Sequence, residues 1–151
     1  MKISLIHPSR GRPTKAFNTS QEWINKAGVI VDYILSLDKS DPTHYQYAPH
    51  FTNSHVITND NNCVVQASNH AANVSKGDIL VYLSDDFKCF DNWGVEIEKQ
   101  FEGVTEPMLL KVDDCLQKFD VPVLTIPIMN RALYNKLGYF FYPGYKSMHV
   151  D

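Results

Sequence analysis

Apolar and polar positions alternate in blocks that predict a strand, a helix and a second strand at the start of the chain. The first apolar block, Ile3 to Ile6, is closed by Pro8, because proline cannot continue the hydrogen bonds of a central strand. From Pro13, apolar side chains recur at helical spacing as far as Gly28, a residue typical of helix ends. A second strand from Val29 to Leu37 is predicted to follow directly.

The middle of the chain changes from a polar loop to a buried strand. Residues 39–62 are rich in Pro, Asn, Asp, Ser and Thr, and predict a loop with one short strand at His55 to Thr58. Small residues from Val64 to Ser75 recur on one helical face, and Gly77 ends that helix. The apolar run Ile79 to Leu83 then predicts a strand that is buried on both faces.

The second half predicts one helix capped by Asp91, followed by shorter elements. These are strands over Met108 to Val112 and Val121 to Ile126, and a last helix over Asn130 to Leu137. Strands that alternate with helices through short connections favour right-handed βαβ units. We therefore expect an α/β fold of three αβα layers around a mainly parallel sheet, in a single domain over residues 1–151.

Composition excludes several classes of protein. The 151 residues carry a formal charge of -3, with 14 basic and 17 acidic side chains, so no basic stripe is present to bind nucleic acid. No apolar run reaches the length of a membrane span, and the first residues lack the pattern of a secretion signal. Three cysteines without paired spacing suggest neither disulfides nor a zinc site, so a cytoplasmic location is expected.

Three of the predicted strands end in polar segments: His7 to Arg10, Asp38 to Asp41, and Ser84 to Asp86. The carboxyl ends of neighbouring parallel strands form one ligand-binding edge, so these segments are expected to face one cleft. Adjacent carboxylates repel each other unless a cation, water or a donor offsets the repulsion. Oxygen ligands suit Mg²⁺ or Mn²⁺ bridging a diphosphate. The pair at Asp85 and Asp86 is equally typical of a solvated turn or a helix cap.

Three segments of the chain resemble the inverting family 2 type glycosyltransferases of the GT-A fold. They are KISLIHPSRGRP, LSLDKSD and NHAANVSKGDILVYLSDDF. The third is the most specific, since a helix, Gly77-Asp78, an apolar strand and an acidic pair follow in one order. Ser84 stands where that family often has an acid, so the motif is a Ser-Asp-Asp variant of DxD.

The resemblance implies a metal-dependent enzyme that moves a sugar from a UDP- or GDP-sugar to the hydroxyl of an unknown acceptor, with inversion. Asp86 would bind the metal, Asp85 would approach the ribose or the metal shell, and Asp38 would contact the base. The nucleotide pocket would be lined by Pro8, Ser9 and Arg10. Asn69, in the middle of the second helix, either faces the sugar nucleotide or lies on the surface. Arg12 suits a phosphate contact or solvated surface.

A later segment, LTIPIMNRALYNKLGYFFYPGYKSMHVD, resembles the acceptor side of the same family. His149 stands at the usual position of the general base and Asp151 is the last residue, so either side chain is a candidate base. The chain is therefore expected to be minimal or truncated. The aromatic cluster at residues 139–145 suits sugar stacking or a core, and we expect Phe140 in the core. Histidines other than His149 are expected to be structural or exposed.

Two other functions stay open on the sequence. A degenerate nucleotide-sugar-binding protein of the same fold would keep the cleft and lose catalysis. A nucleotidyltransferase would be expected to carry a Gly-rich loop with a Lys or Arg after the first strand, where this chain has Gly11 between two arginines.

Overall fold

The computed structural model describes residues 1–52, 54–115 and 124–146. Over these ranges the strands are β1 (Ile3–Pro8), β2 (Val31–Asp38), β3 (His55–Asn59), β4 (Ile79–Tyr82), β5 (Leu109–Leu110) and β6 (Ile128–Asn130). The helices are α1 (Pro13–Lys26), α2 (Val64–Val74), α3 (Trp93–Phe101) and α4 (Arg131–Leu137), with a short 3-10 helix at His44–Gln46. Within the same ranges, no helix combines the length and the apolar character that a membrane span requires.

The six strands form one sheet in the order β3-β2-β1-β4-β6-β5. β1 lies parallel to both β2 and β4, with Ile3 opposite Val31 on one side and Ile79 on the other. β3 is parallel to β2, whereas β6 runs antiparallel to both β4 and β5. The sheet is thus mainly parallel, as predicted, and the carboxyl ends of β1, β2 and β4 share one edge.

Side chains that alternate along the strands build one apolar cluster on each face of the sheet. On one face, Leu5 packs with α1 and α3 through Trp23 and Trp93, whose ring centroids lie 5.0 Å apart. On the other face, Ile6 packs with α2 and α4 through residues that include Ala71. Because both faces are covered by helices, the three-layer αβα class expected from the sequence is confirmed.

The position of β4 depends on a close approach between Gly77 and β1. A β-carbon at Gly77 would lie 2.6 Å from both the backbone nitrogen and the hydroxyl oxygen of Ser4. The Gly77 amide instead donates to Ser4 Oγ at 2.9 Å. Glycine is therefore required where the chain enters β4, the strand that leads to Asp85 and Asp86.

Two helix starts differ in how well the sequence predicted them. Asn130 caps α4, its side chain accepting from the amide of Leu133 at 3.0 Å, so the predicted last helix is confirmed apart from its first residue. The prediction that Asp91 caps α3 is wrong. Asn92 holds that position with φ 62° and no side-chain cap bond. Its amide donates to the Lys26 carbonyl at 2.6 Å, so a contact with the end of α1 sets the start of α3.

Several predicted strands have different bounds in the structure. β2 begins at Val31 instead of Val29, and Met108 to Val112 contributes only the two residues of β5. In the strand predicted over Val121 to Ile126, residues 124–126 are not in a strand, while 121–123 lie outside the described residues. The pairing strand is β6, which starts after Pro127, because proline has no N–H to give to the ladder.

Candidate functional site

A cleft of about 300 Å³ lies at the shared carboxyl edge of β1, β2 and β4, beside the start of α2. All three polar strand ends that the sequence singled out contribute to it. Its lining consists of Pro8, Ser9, Arg10, Arg12, Ser36, Asp38, Asn61, Cys63, Val64, Ala67, Tyr82, Ser84, Asp85 and Asp86. Every predicted nucleotide-binding or metal-binding residue except Asn69 lines this cleft.

Asp85 is held inward by hydrogen bonds from three other elements. Asp85 is buried, with 7% of its surface exposed. Its Oδ1 lies 2.9 Å from His7 Nε2, and its Oδ2 accepts from Ser9 Oγ at 3.0 Å. The hydroxyl of Thr19 on α1 donates to the Asp85 backbone carbonyl at 2.7 Å. Both carboxylate oxygens are thus used within the protein, and the turn after β4 is fixed to β1 and α1.

The bond from Ser9 to Asp85 sets the direction of a longer chain of hydroxyl groups. A carboxylate only accepts, so the Ser9 hydroxyl donates to Asp85 and its oxygen accepts from the Tyr47 hydroxyl at 3.0 Å. The Tyr47 oxygen in turn accepts from the backbone amide of Arg12 at 3.0 Å. Burial raises the pKa of Tyr47, so the phenol keeps the proton that it donates. This series of hydrogen bonds ties the loop after β1 to Asp85.

His7 completes the support of Asp85 from below the cleft. The residue is fully buried, and its Nδ1 lies 2.7 Å from the hydroxyl of Tyr33. Burial raises the pKa of Tyr33 well above its ordinary value, so this phenol also stays protonated. The sequence placed His7 in a polar strand end that faces the cleft and among the structural or exposed histidines, but did not predict its bond to Asp85. The available signal was its position at the end of β1, next to the end of β4.

Asp86 differs from Asp85 in exposure and in its partners. Its side chain is 55% exposed, and its Oδ2 accepts from Arg12 Nη1 at 2.8 Å. Its Oδ1 accepts from Lys15 Nζ. The hydrogen bond from Lys15, and next the one from Arg12, lowers the pKa of Asp86. The sequence missed Lys15, although its spacing of three from Arg12 puts both at the first turn of α1.

Two aspartates, one at the end of β2 and one just after it, hold the loop that follows β1. Asp38 is 6% exposed and accepts from Arg10 Nη1 at 2.7 Å. Asp41 accepts from the amides of Gly11 at 2.7 Å and Thr43 at 2.8 Å. Burial opposes ionisation of Asp41, but these bonds outweigh it and lower the pKa of the carboxyl. Charge-assisted bonds therefore fix the backbone between Arg10 and Arg12.

The floor of the cleft carries an unusual hydroxyl on β2. Across residues 1–52, 54–115 and 124–146, the Ser36 hydroxyl is the one buried side-chain oxygen or nitrogen with no hydrogen-bond partner. Asn61, which also lines the cleft, has partners at both polar atoms: its nitrogen donates to the Leu37 carbonyl at 2.9 Å, and its oxygen lies 2.7 Å from His70 Nδ1. A buried polar atom without a partner is uncommon and marks this floor as a place where a polar group is accommodated.

Asn69 lies outside the cleft lining and connects α2 to the aromatic segment. Its side-chain oxygen accepts from the amides of Phe140 at 2.9 Å and Phe141 at 2.8 Å, and its nitrogen donates to the Phe141 carbonyl at 2.8 Å. All three bonds serve the backbone of residues 140–141. Phe140 is 3% exposed and belongs to the apolar cluster on the α2 face, as expected.

The described cleft residues offer one exposed carboxylate, Asp86, as a candidate ligand for a divalent cation. Among the described side chains, no group of three or more His, Cys, Asp or Glu is placed to hold a metal ion. Asp85 has both oxygens engaged, whereas the partners of Asp86 are exposed side chains. A single carboxylate combined with substrate phosphates and water is a common ligand set for Mg²⁺.

The candidate bases His149 and Asp151 lie outside the described residues.

The architecture matches solved structures at low sequence identity. S. aureus TarS 1–349 in complex with UDP-GlcNAc has a TM-score of 0.55 and 14% identity, covering 75% of this chain and 35% of that one. The chain therefore spans about a third of the TarS fragment. 4-diphosphocytidyl-2C-methyl-D-erythritolsynthase from Anaerococcus prevotii DSM 20548 has a TM-score of 0.54 and 11% identity, covering 95% of this chain and 80% of its own.

No protein-family model and no curated protein matches the sequence. At identities as low as these, a structural likeness establishes architecture and leaves activity to the site itself. The chain has a GT-A-like α/β fold, with its polar cleft at the carboxyl edge of the parallel strands.

Proposed function

We propose that the cleft binds a nucleotide-diphosphate sugar, with UDP or GDP as the nucleotide, and that the protein transfers the sugar to an acceptor hydroxyl with inversion. The observation that carries the proposal is the meeting of Asp38, Asp86 and basic side chains at one edge of parallel strands. In open α/β sheets this edge is where nucleotides bind. The likeness to TarS, whose structure contains UDP-GlcNAc, supports the choice of ligand class.

The cleft offers two regions of different chemistry to such a ligand. Asp38 is buried and fixed by Arg10, which suits directional contacts to a base or ribose. Asp86 is exposed beside Arg12 and Lys15, which suits the diphosphate and its counter-ion. Mg²⁺ or Mn²⁺ held by Asp86 would neutralise the leaving diphosphate. Asp85, held by His7 and Ser9, acts in this proposal by positioning the turn that carries Asp86.

The reaction also needs a group that takes the proton of the acceptor hydroxyl. His149 and Asp151 are the proposed candidates, since a neutral imidazole or a carboxylate serves as a general base near neutral pH. The acceptor would approach from the side of α4 and residues 139–145. A cytoplasmic location completes the proposal.

One observation favours a nucleotidyltransferase as the second candidate. That class is expected to place a Lys or Arg in the loop after the first strand. Arg12 lies in that loop, and Lys15 follows in the first turn of α1. The 4-diphosphocytidyl-2C-methyl-D-erythritolsynthase, whose match covers 95% of this chain, shares the fold. A binding protein without catalysis is the third candidate, with the same cleft.

A thermal-shift panel of UDP-, GDP-, CDP- and dTDP-sugars, with and without Mn²⁺, tests the proposal. Binding to the folded state raises the melting temperature by mass action, so the cognate nucleotide sugar stabilises the protein and the others do not. Asp38→Ala, and Asp86→Ala in the presence of Mn²⁺, should remove the shift, whereas Asp91→Ala, at a side chain 80% exposed, should keep it. No shift with any ligand contradicts the proposal.

Product analysis then separates the three candidates. Release of UDP or GDP from the cognate sugar nucleotide indicates a glycosyltransferase. Release of pyrophosphate from a nucleoside triphosphate and a sugar phosphate indicates a nucleotidyltransferase. Binding without either product indicates the non-catalytic protein.

A further inference from the structure

We propose that Arg12 and Lys15 are the diphosphate ligands of the cleft and that Asp86 exchanges partners when the nucleotide binds. In the free protein, the Asp86 carboxylate occupies both cations. In the complex, the diphosphate takes these cations and Asp86 becomes free for a divalent cation. The inference rests on the proposed function and adds to it the order in which the charged groups pair.

The ion pairs of Asp86 with Arg12 and Lys15 are exposed and therefore easily displaced by another anion. Each carboxylate oxygen has one cationic partner, and all three side chains are more than half exposed, at 52% for Arg12, 52% for Lys15 and 55% for Asp86. Exposed ion pairs of this kind typically contribute only about 0–1 kcal/mol. A diphosphate, with more charge and more acceptor oxygens than a carboxylate, therefore competes well for the same two cations.

The start of α1 adds a second reason to expect an anion there. Arg12 directly precedes Pro13, the first residue of the helix, and Lys15 lies in its first turn. That turn has no acidic residue, and no side chain caps the helix. A helix N-terminus carries partial positive charge and favours phosphate groups. Because Arg12 and Asp86 both line the cleft, an anion bound at this place lies within it.

Arg10 is distinguished from these two cations by its partner. Its guanidinium bonds to Asp38, which is 6% exposed. Moving Arg10 to a ligand would leave a buried carboxylate without its counter-charge, which is strongly unfavourable. The exchangeable cations are therefore Arg12 and Lys15, while Arg10 stays with Asp38 and shapes the base end of the cleft.

The exchange predicts that binding of the nucleotide strengthens binding of the metal ion, and the reverse. A metal ion alone must compete with Arg12 and Lys15 for Asp86, whereas a bound diphosphate removes this competition. Such coupling is reciprocal, so Mn²⁺ must tighten nucleotide binding by the same factor as the nucleotide tightens Mn²⁺ binding. Loss of the Lys15 charge should then have opposite effects on the two ligands when each binds alone.

Calorimetry with UDP, GDP, CDP and dTDP in EDTA, and paramagnetic resonance of free Mn²⁺ without nucleotide, test the exchange. For Lys15→Met we expect about 10-fold weaker binding of the nucleoside diphosphate, corresponding to about 1.4 kcal/mol. The same variant should bind Mn²⁺ alone about 3-fold more tightly, a change of about 0.7 kcal/mol. Arg12→Met should change both constants in the same directions. Lys88→Met, at a side chain 81% exposed and paired with Glu22, is the matched control and should change neither.

The outcomes separate this inference from the proposed function. If the wild-type protein binds one nucleoside diphosphate but Lys15→Met leaves that affinity unchanged, the exchange is overturned and the proposed function stands. If Lys15→Met weakens Mn²⁺ binding as well, Lys15 supports the metal site instead of competing with it, and the exchange is again overturned. If the wild-type protein binds a nucleoside diphosphate only when Mn²⁺ is added, the exchange is overturned and the proposed function stands. If it binds none of the four with or without Mn²⁺, both proposals fail.

Discussion

The parallel and antiparallel halves of the sheet are stabilised in different ways. In the parallel half, β1, β2 and β4 are fully or largely buried and end in charged side chains joined by long-range hydrogen bonds. In the antiparallel half, β5 has two residues and β6 has three. Next to these short strands lies an apolar cavity of about 360 Å³, lined by Val65, Leu109, Leu124, Pro127, Met129, Leu133, Leu137, Phe140, Phe141, Tyr142 and Tyr145.

This difference indicates a division of work between the halves. The cleft needs carboxylates and cations in fixed positions, and bonds between residues about 30 to 80 positions apart supply that order. The antiparallel half relies on apolar packing and leaves Tyr142 and Tyr145 exposed, at 56% and 65%. The halves meet where the rings of Tyr82 and Phe141 lie 5.3 Å apart. Under the proposed function, the cleft side would bind the nucleotide and the aromatic side would face a second, less polar group.

Removal of the Asp85 carboxylate should have the largest effect, because it leaves His7 and Ser9 buried without their partner. We expect Asp85→Ala to lower the free energy of unfolding by about 3–5 kcal/mol. Asp86→Ala is the matched control and should cost less than about 1 kcal/mol, since its partners are exposed. Urea denaturation measures both values. Equal losses would show that the two carboxylates do not differ as described.

Asn69→Ala should break the link between the halves. Three hydrogen bonds from this side chain hold the backbone of residues 140–141, so we expect a loss of about 2–3 kcal/mol in the free energy of unfolding. Hydrogen exchange should rise first at the amides of Phe140 and Phe141. Asn73→Ala, at an exposed position one turn further along α2, is the control. Unchanged exchange at these two amides in Asn69→Ala would contradict the assignment.

Tyr47→Phe should loosen the cleft without affecting the antiparallel half. The change removes the hydroxyl between Ser9 and the Arg12 amide. We expect the free energy of unfolding to fall by about 1–2 kcal/mol. Tyr45→Phe is the control, since that ring is 65% exposed and should change stability by less than about 0.5 kcal/mol. Thermal unfolding compares the pair. A loss of stability in Tyr45→Phe as large as in Tyr47→Phe would contradict the role given to the series of hydroxyl groups.

Asp41→Asn should give the smallest effect, of about 1 kcal/mol at neutral pH, and one that depends on pH. Hydrogen bonds to the carboxylate lower its pKa in the folded state. The stabilisation is therefore present above the ordinary pKa of about 4 and is lost as the pH falls through the folded value. Wild-type and variant stabilities should converge once the pH falls below the lowered pKa of the folded state. Asp60→Asn, at a side chain 83% exposed, should show no such convergence.

Most of the parallel half could be predicted from the sequence, because its signals are local. Pro13 starts α1, Gly77 precedes a continuous apolar run, and the polar residues stand at the strand ends. The antiparallel half was predicted less well. β6 and β5 are too short to show a period, and Pro127 moves the pairing strand beyond the apolar run that had been predicted as a strand.

The lining of the cleft was predicted better than its connections. Asp38, Asp85 and Asp86 were identified from their positions after strands, and they lie together. The bond of His7 to Asp85 joins residues 78 positions apart, and Lys15 reaches Asp86 over 71 positions. Pairing across such distances depends on the strand order, which periodicity does not specify. The sequence consequently did not show that one carboxylate faces inward and the other outward.

The chain of hydroxyls that ends at Asp85 also limits how protons travel in the cleft. The Arg12 amide, the Tyr47 phenol and the Ser9 hydroxyl all point their hydrogens toward the same carboxylate. A proton shifted along this series would reach Asp85 only by leaving an oxyanion on Ser9 or a phenolate on Tyr47, and burial already disfavours the phenolate. The hydrogen bonds of this series therefore keep one direction, and the series does not conduct a proton to Asp85. Under the proposed function, the proton of the acceptor hydroxyl would therefore not travel along this series.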